Sequence, residues 1–475
     1  MKKAMVWLTC MALAAGLVGC GSQSSSSGTE AAAPAESAQE SVQEDTGTTA
    51  GTEAAAATTE TTAEAGAEKT DYSDVEFRIA WWGGDARNTQ TVDIIENFEK
   101  QYPNLKIEVE YGSFDDYFTK LTTQATAGNL PDVYMMDYSK IVEYTEAGQM
   151  EPLDAYIENG TIDLSDVDDS MVSGGIVDGT MYAIATGVNS PSIFYDPVIL
   201  EEAGLTLKQN PTWSELKEAI MGVYEKTGYR VFADPLHVSL EVYLRSIGKE
   251  MYAQDGTAFG FAGEDFAAYL EEFCDLYESG AAISSADFEG DVDGSMWDDN
   301  KLWMKFVGQN SNEIVAEEAA SGKELYLCCD PSADDAVVSG TYLKPVMLWG
   351  ISSTSANKQL AAEFINYFVN DSYVYQVCGT DRGIPISASM REYIAENGSD
   401  LDQRISEFIS FLSDGVATEI SAPAPVGSTE AITCLGETME QFYYGQLGRE
   451  EIPDAAAAAV EEGNAVLADA AASQG

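Results

Sequence analysis

The stretch Val75-Glu76-Phe77-Arg78-Ile79-Ala80-Trp81-Trp82-Gly83-Gly84 decides the fold. Val75, Phe77, Ile79 and Trp81 alternate with Glu76, Arg78, Ala80 and Trp82, and a period of two predicts a strand. The two glycines end it in a turn. Val92, Ile95 and Phe98, with Ile94, then recur at helical spacing, and Tyr102-Pro103-Asn104 stops that helix. Ile107, Val109 and Tyr111 alternate as a second strand. Ser113 with Asp116 three residues on has the form of a capping box. It opens a helix through Tyr117, Leu121, Gln124 and Ala125, closed by Gly128. After Pro131, the run Val133-Tyr134-Met135-Met136 predicts a short buried strand, and a helix follows across Ile141 to Ala147. Strand and helix alternate three times, which predicts an α/β fold with a largely parallel sheet.

Downstream the rhythm changes. Tyr182, Ile184 and Thr186, then Ile193-Phe194-Tyr195, are two extended pieces around a break from Gly187 to Pro191, as expected where a chain crosses between lobes. Thr212 and Glu215, just after Pro211, form a second capping box, and helices are expected to dominate to about residue 280. The acidic segment Asp287 to Asn300 reads as loop. Tyr342 to Ile351 is extended, Asn357 to Val369 is helical, Arg382-Gly383-Ile384-Pro385 is an extended turn, and the Ala-rich end, Pro453 to Ala472, is a surface helix. There is no internal repeat.

Upstream, Lys2 and Lys3 precede a mostly apolar run from Ala4 to Val18, the form of a secretory signal and too short to span a bilayer. It ends in Leu17-Val18-Gly19-Cys20, which resembles the lipobox of bacterial lipoproteins. The resemblance implies a cut before Cys20 and lipid on its sulfur. Residues 20–73 are then the lipidated Cys and a tether of Ser, Thr, Ala, Glu and Gly, with too little apolar surface to offset the entropy of ordering it. About 400 residues remain, more than one typical core holds, so two lobes are expected.

The chain carries 80 Asp plus Glu against 24 Lys plus Arg, a formal charge of −56. That field repels nucleic acid and anionic surfaces and suits a neutral ligand, unless a local basic pocket overrides it. A single histidine, His237, argues against mechanisms built on His as base or repeated metal ligand. Without Cys10 and Cys20, five cysteines are left: Cys274, Cys328, Cys329, Cys378 and Cys434. An odd number leaves one unpaired. The adjacent Cys328 and Cys329 are expected as reduced, buried thiols, a strained vicinal disulfide being the alternative.

Several stretches share an order with a known family. They are Trp81-Trp82-Gly83-Gly84, Tyr117-Phe118-Thr119-Lys120-Leu121, Ala127-Gly128-Asn129-Leu130-Pro131-Asp132-Val133, Asp178-Gly179-Thr180-Met181-Tyr182-Ala183-Ile184, Asn189 with Phe194-Tyr195-Asp196, Pro211-Thr212-Trp213, Lys344-Pro345 with Trp349, and Arg382-Gly383-Ile384-Pro385. In this order the chain resembles the family 1 extracellular solute-binding proteins of carbohydrate transporters, the group that includes maltose-binding protein. The resemblance implies a two-lobed α/β periplasmic-binding-protein clamp of type II with three hinge crossings, near 185–192, 342–350 and 383–387. Lobe one would be 74–186 with 350–384, and lobe two 190–342 with 386–475. It implies capture of a carbohydrate in the cleft, delivery to ABC transporter permease subunits with their ATPase, no cofactor, no turnover and action as a monomer.

Candidate ligand residues follow from chemistry that fits sugars: rings for flat C–H faces, and amides, carboxylates and Arg for hydroxyls. Trp81 shares a strand face with Phe77 and Ile79 and is expected in the core, which leaves Trp82 for the ligand. Gly83 and Asp85 let the chain approach a ligand closely or simply turn. Asp137 and Tyr138 follow a strand at the carboxyl edge of the sheet, where ligands of α/β folds collect. Asn189, Trp349 and Arg382 lie at the three crossings, and Trp297 is a stacking candidate on the second lobe; Trp303 is expected in the core. Asp116 is a sugar partner or a helix cap. The loop Glu289, Asp291, Asp293, Gly294 departs from a calcium loop at its first position and at its twelfth, Asn300, so no metal is expected. A cell-surface glycosidase, a peptide-binding clamp and a sugar-sensing partner of a membrane kinase remain as other readings.

Overall fold

The structure, a computed structural model, describes residues 72, 75–102, 104–236, 240–287, 296–308 and 311–473. The signal, Cys20, nearly all of the tether, His237 and the Glu289–Gly294 loop lie outside the described residues. No described helix is long and apolar enough to cross a membrane.

Twelve strands carry the argument, in two five-stranded sheets and a short pair between them. In the first half, β1 (Glu76–Trp82) lies parallel to β2 (Lys106–Gly112) and to β3 (Val133–Met136). β4 (Ala183–Ala185) belongs to the same sheet, and β5 (Val188–Asn189) leaves it. The second half is built on β6 (Ser192–Tyr195), β7 (Arg230–Ala233), β8 (Ala282–Ile283), β9 (Leu302–Gly308) and β10 (Tyr326–Cys328), in the order β8-β7-β9-β6-β10. β11 (Lys344–Pro345) pairs with β5. β12 (Leu348–Ile351) returns to the first sheet, antiparallel to both β3 and β4. Each sheet thus has a parallel trio joined to an antiparallel pair, the two-sheet α/β arrangement expected for two lobes.

Local chemistry places the helices. Ser113 Oγ accepts from the Asp116 N–H and donates to its carboxylate at 2.8 Å, opening helix Phe114–Thr126. Thr212 and Glu215 cap helix Trp213–Thr227 reciprocally, and Gly228 ends it at φ +75°. Of the two expected capping boxes, Thr212 and Glu215 close theirs reciprocally, while at Ser113 the Asp116 carboxylate takes the Ser113 hydroxyl and the helix is capped by Ser113. Phe77, Ile79 and Trp81 are fully buried, as are Trp213 and Trp303 of the second core. All five described cysteines are free thiols, four of them buried.

Val188 pairs with Pro345 on β11 and with Ile384, so the three segments expected to cross between lobes lie side by side. Gly187 is required there. A Cβ on it would sit 2.5 Å from Arg382 O and 2.8 Å from Ile384 O.

Two expectations need correction. Strand β7 lies in a region expected to be helical, and it sits at the heart of the second sheet, parallel to both β8 and β9. The segment from 386 onward does not join the second half at once. Ser389 donates its N–H to Asp166 at 2.9 Å and Arg391 pairs with Asp168 at 3.2 Å, holding helix Ala388–Asn397 on the first half. Helix Asp400–Ser413 then reaches the second half: Ile405, Phe408 and Ile409 join a core cluster that holds both Phe77 and Leu325, and Arg404 donates to Leu325 O at 3.1 Å. Of the described helices after residue 386, only Ser428–Tyr443 and Ile452–Ala472 pack wholly on the second core; the last buries Ala456, Ala459, Val460 and Leu467.

Candidate ligand-binding crevice

A crevice of about 2200 Å³ opens between the two halves. One wall is the stretch after β3, from Asp137 into helix Ile141–Glu146. The facing wall comes from helix Leu240–Ser246 and residues 250–256. β5 and β11 contribute Asn189, Lys344 and Pro345, and a Pro-rich strap, Glu419-Ile420-Ser421-Ala422-Pro423-Ala424-Pro425, runs along the rim.

Arg245 organises the strap. It is only 6% exposed. Its Nε donates to Gly340 O at 3.1 Å, Nη1 to Ser421 Oγ, and Nη2 to Thr418 Oγ1 at 2.7 Å and to Glu419 O. Its guanidinium lies 5.2 Å from the centre of the Tyr342 ring. Tyr342 donates to Glu241 at 3.0 Å, and Ser421 Oγ donates to Glu250 at 2.7 Å. Tyr138, from the other half, donates its hydroxyl to Ser421 O at 2.6 Å. Burial first, then Glu241 and Glu419, push the Tyr138 phenol up to about 12, so it stays a hydrogen-bond donor at neutral pH. The crevice therefore offers the half-buried Tyr138 phenol, with the buried Tyr342 behind it, among carboxylates, groups suited to the faces and hydroxyls of a polar, ring-shaped ligand.

Of the residues expected at the ligand, Asp137, Tyr138 and Asn189 line this crevice. Asp137 turns back to accept from Ser139 N and Oγ at 2.9 and 2.6 Å, and Asn189 Oδ1 accepts from Ser311 at 3.3 Å. The others lie elsewhere. Trp82 is 8% exposed because Phe114 and Phe118 pack on its ring, each with centroids 5.5 Å away. Gly83 O accepts from Asn88, and Asp85 is an exposed first residue of helix Asp85–Glu99. Asp116 accepts from the Ser113 cap and borders a notch of about 80 Å³, well below the several hundred Å³ usual for ligand pockets.

Three further expectations at the ligand give way to packing. Trp349 is fully buried between Phe364 and Phe368, with ring centres 5.5 and 5.3 Å away. Trp297 is fully buried and donates its indole N–H to Glu317 at 2.9 Å. Arg382 is 2% exposed over the Phe368 ring. It donates to Thr91 at 2.7 Å and to Arg87 O at 3.2 Å, while its Nε and Nη1 have no protein partner. Burial pushes its guanidinium down to about 10.

The residues that sequence reasoning missed are Glu241, Arg245, Tyr342 and the strap. The signal was present in Ala422-Pro423-Ala424-Pro425, a run that favours an extended, unpaired chain.

Comparison with known proteins agrees with this geometry. A family 1 extracellular solute-binding protein from Alicyclobacillus acidocaldarius superposes with a TM-score of 0.75 at 25% identity, over 83% of this chain and 98% of that one. A periplasmic oligogalacturonide binding protein from Yersinia enterocolitica has the same fold, with a TM-score of 0.67 at 20% identity over 84% and 100%. The diacetylchitobiose binding protein DasA of Streptomyces coelicolor is 23% identical over 330 residues, 66% of this chain and 74% of the relative. The model of the bacterial extracellular solute-binding protein family matches residues 85–323, about half of the chain, and with two sheets, paired crossing strands and an intervening crevice, the protein belongs to that family.

Proposed function

We propose that the chain captures an oligosaccharide in the crevice between its halves and delivers it to the permease subunits of an ABC transporter, tethered at the outer face of the membrane by lipid on Cys20. The observation that carries this is the crevice itself, about 2200 Å³ and lined by the phenols of Tyr138, Tyr252 and Tyr342 among carboxylates. Its size favours a chain of several sugar units over a single ring. The diacetylchitobiose-binding relative supports a sugar. The task is binding and release, and Tyr138, Asp137 and Asn189 are the side chains proposed to touch the ligand. Closure of the halves about β5, β11 and Ile384 would present the surface that a permease reads.

Thermal melting against a panel of oligosaccharides, with peptides as controls, tests the reading. A ligand at a hundred times its dissociation constant adds about 2.7 kcal/mol to a state it alone binds, a shift readily measured. Stabilisation by one sugar class is the expected result. Stabilisation by peptides alone would refute it.

A further inference from the structure

We infer that the crevice sorts sugars by charge, taking neutral or amine-bearing chains and excluding uronates. This rests on the sugar reading above. Eight carboxylates and three cations line the crevice. That ratio alone decides nothing, because the whole chain is comparably acidic. The state of the cations decides.

A sugar carboxylate is best held by a free guanidinium fork. Arg245 is the guanidinium of the lining, and all three of its nitrogens are taken by Gly340, Thr418, Glu419 and Ser421. Turning it to a ligand would release the strap. Glu250 lies 3.8 Å from it, Glu241 accepts from the hydroxyl of Tyr342, whose ring lies beneath it, and Glu419 gives it a backbone carbonyl, so the one guanidinium is committed among acidic residues. Lys344 is exposed on β11, and Lys140 shares its stretch with Asp137 and Glu143. Each offers a single point charge among those acids. A uronate entering here meets repulsion without a fork to hold it, whereas a hydroxyl or an ammonium meets acceptors.

The test uses the full chain and matched pairs: diacetylchitobiose, cellobiose, maltose and galactobiose, each beside its counterpart with C6 oxidised to carboxylate. Titration calorimetry is run at about 0.01 M and about 1 M salt, between which the screening length falls from ~30 to ~3 Å. For a neutral sugar that binds, the uronate should be at least about tenfold weaker at low salt, and the gap should narrow at high salt. Glu419→Gln should narrow it too. A uronate that binds as tightly as its neutral partner at low salt, or a gap indifferent to salt, overturns the inference and leaves the sugar reading standing. If no sugar of either kind binds, the sugar reading falls, and this inference falls with it.

Discussion

Glu110 stands on edge strand β2 with Arg78, Lys120 and Gln124 around its carboxylate. Burial raises its pKa, but hydrogen bonds from Lys120, Arg78 and Gln124 together outweigh it and hold the group at about 2. A carboxylate depressed in the folded state contributes stability that is complete above its unfolded value near 4.5 and lost as pH falls toward 2. Denaturant titrations across that window should show a shallower acid limb for Glu110→Gln, with a loss on the order of 1 kcal/mol at pH 7. Trp349 gives a second prediction. Its indole N–H is buried without a partner, so Trp349→Phe should lose less than about 1.5 kcal/mol, while Trp349→Ala should lose about 3–5 kcal/mol by cavity formation. Tyr138→Ala should instead weaken sugar binding more than it lowers the ligand-free melting temperature. The difference between these residues marks what a sequence reveals. Alternation along β1 separated Trp81 from its neighbour, because a strand has two faces. It did not show that Phe114 and Phe118 cover Trp82, or that helix Lys358–Asn370 lays Phe364 and Phe368 on Trp349. Those contacts join residues distant in the chain, and no local period encodes them.

Elements were legible where they carried their own punctuation. Helices Phe114–Thr126 and Trp213–Thr227 announce themselves by Ser113 and Thr212 with acids three residues on. Strand β7 has no such marks: Val231, Phe232 and Ala233 are a short apolar run that periodicity cannot tell from helix. Its place is set by pairing with β8 and β9. The crossing elements were visible as extended breaks, but their mutual pairing was not. That pairing makes Gly187 sensitive. Gly187→Ala drives a methyl into the carbonyls of Arg382 and Ile384, which are backbone and cannot swing aside. It should lower the melting temperature by several degrees and reduce ligand affinity, read by calorimetry on the same preparation. Gly128→Ala, at φ +67° with open space around it, should show only the milder backbone penalty of about 1 kcal/mol and leave affinity alone.

At the scale of the molecule, the first half followed from three strand–helix alternations, and the family from ordered short motifs. The crevice did not. Its chemistry assembles Asp137 and Tyr138 with Arg245, Tyr342 and a strap near residue 420, four stretches scattered over almost 300 positions. Sugar binding should draw the halves together, so small-angle scattering should record a smaller radius of gyration with saturating ligand than without. An unchanged radius would show that capture needs no closure. The hydrogen bond from Tyr138 to Ser421 O gives the crevice a further property. The phenol has one proton to donate, and the strap already holds it. The protein therefore carries an internal competitor for its own ligand: a sugar hydroxyl must displace a backbone carbonyl before it can use that donor. Affinity then reports an exchange of partners, and its enthalpy should be smaller than the count of contacts in the bound state suggests.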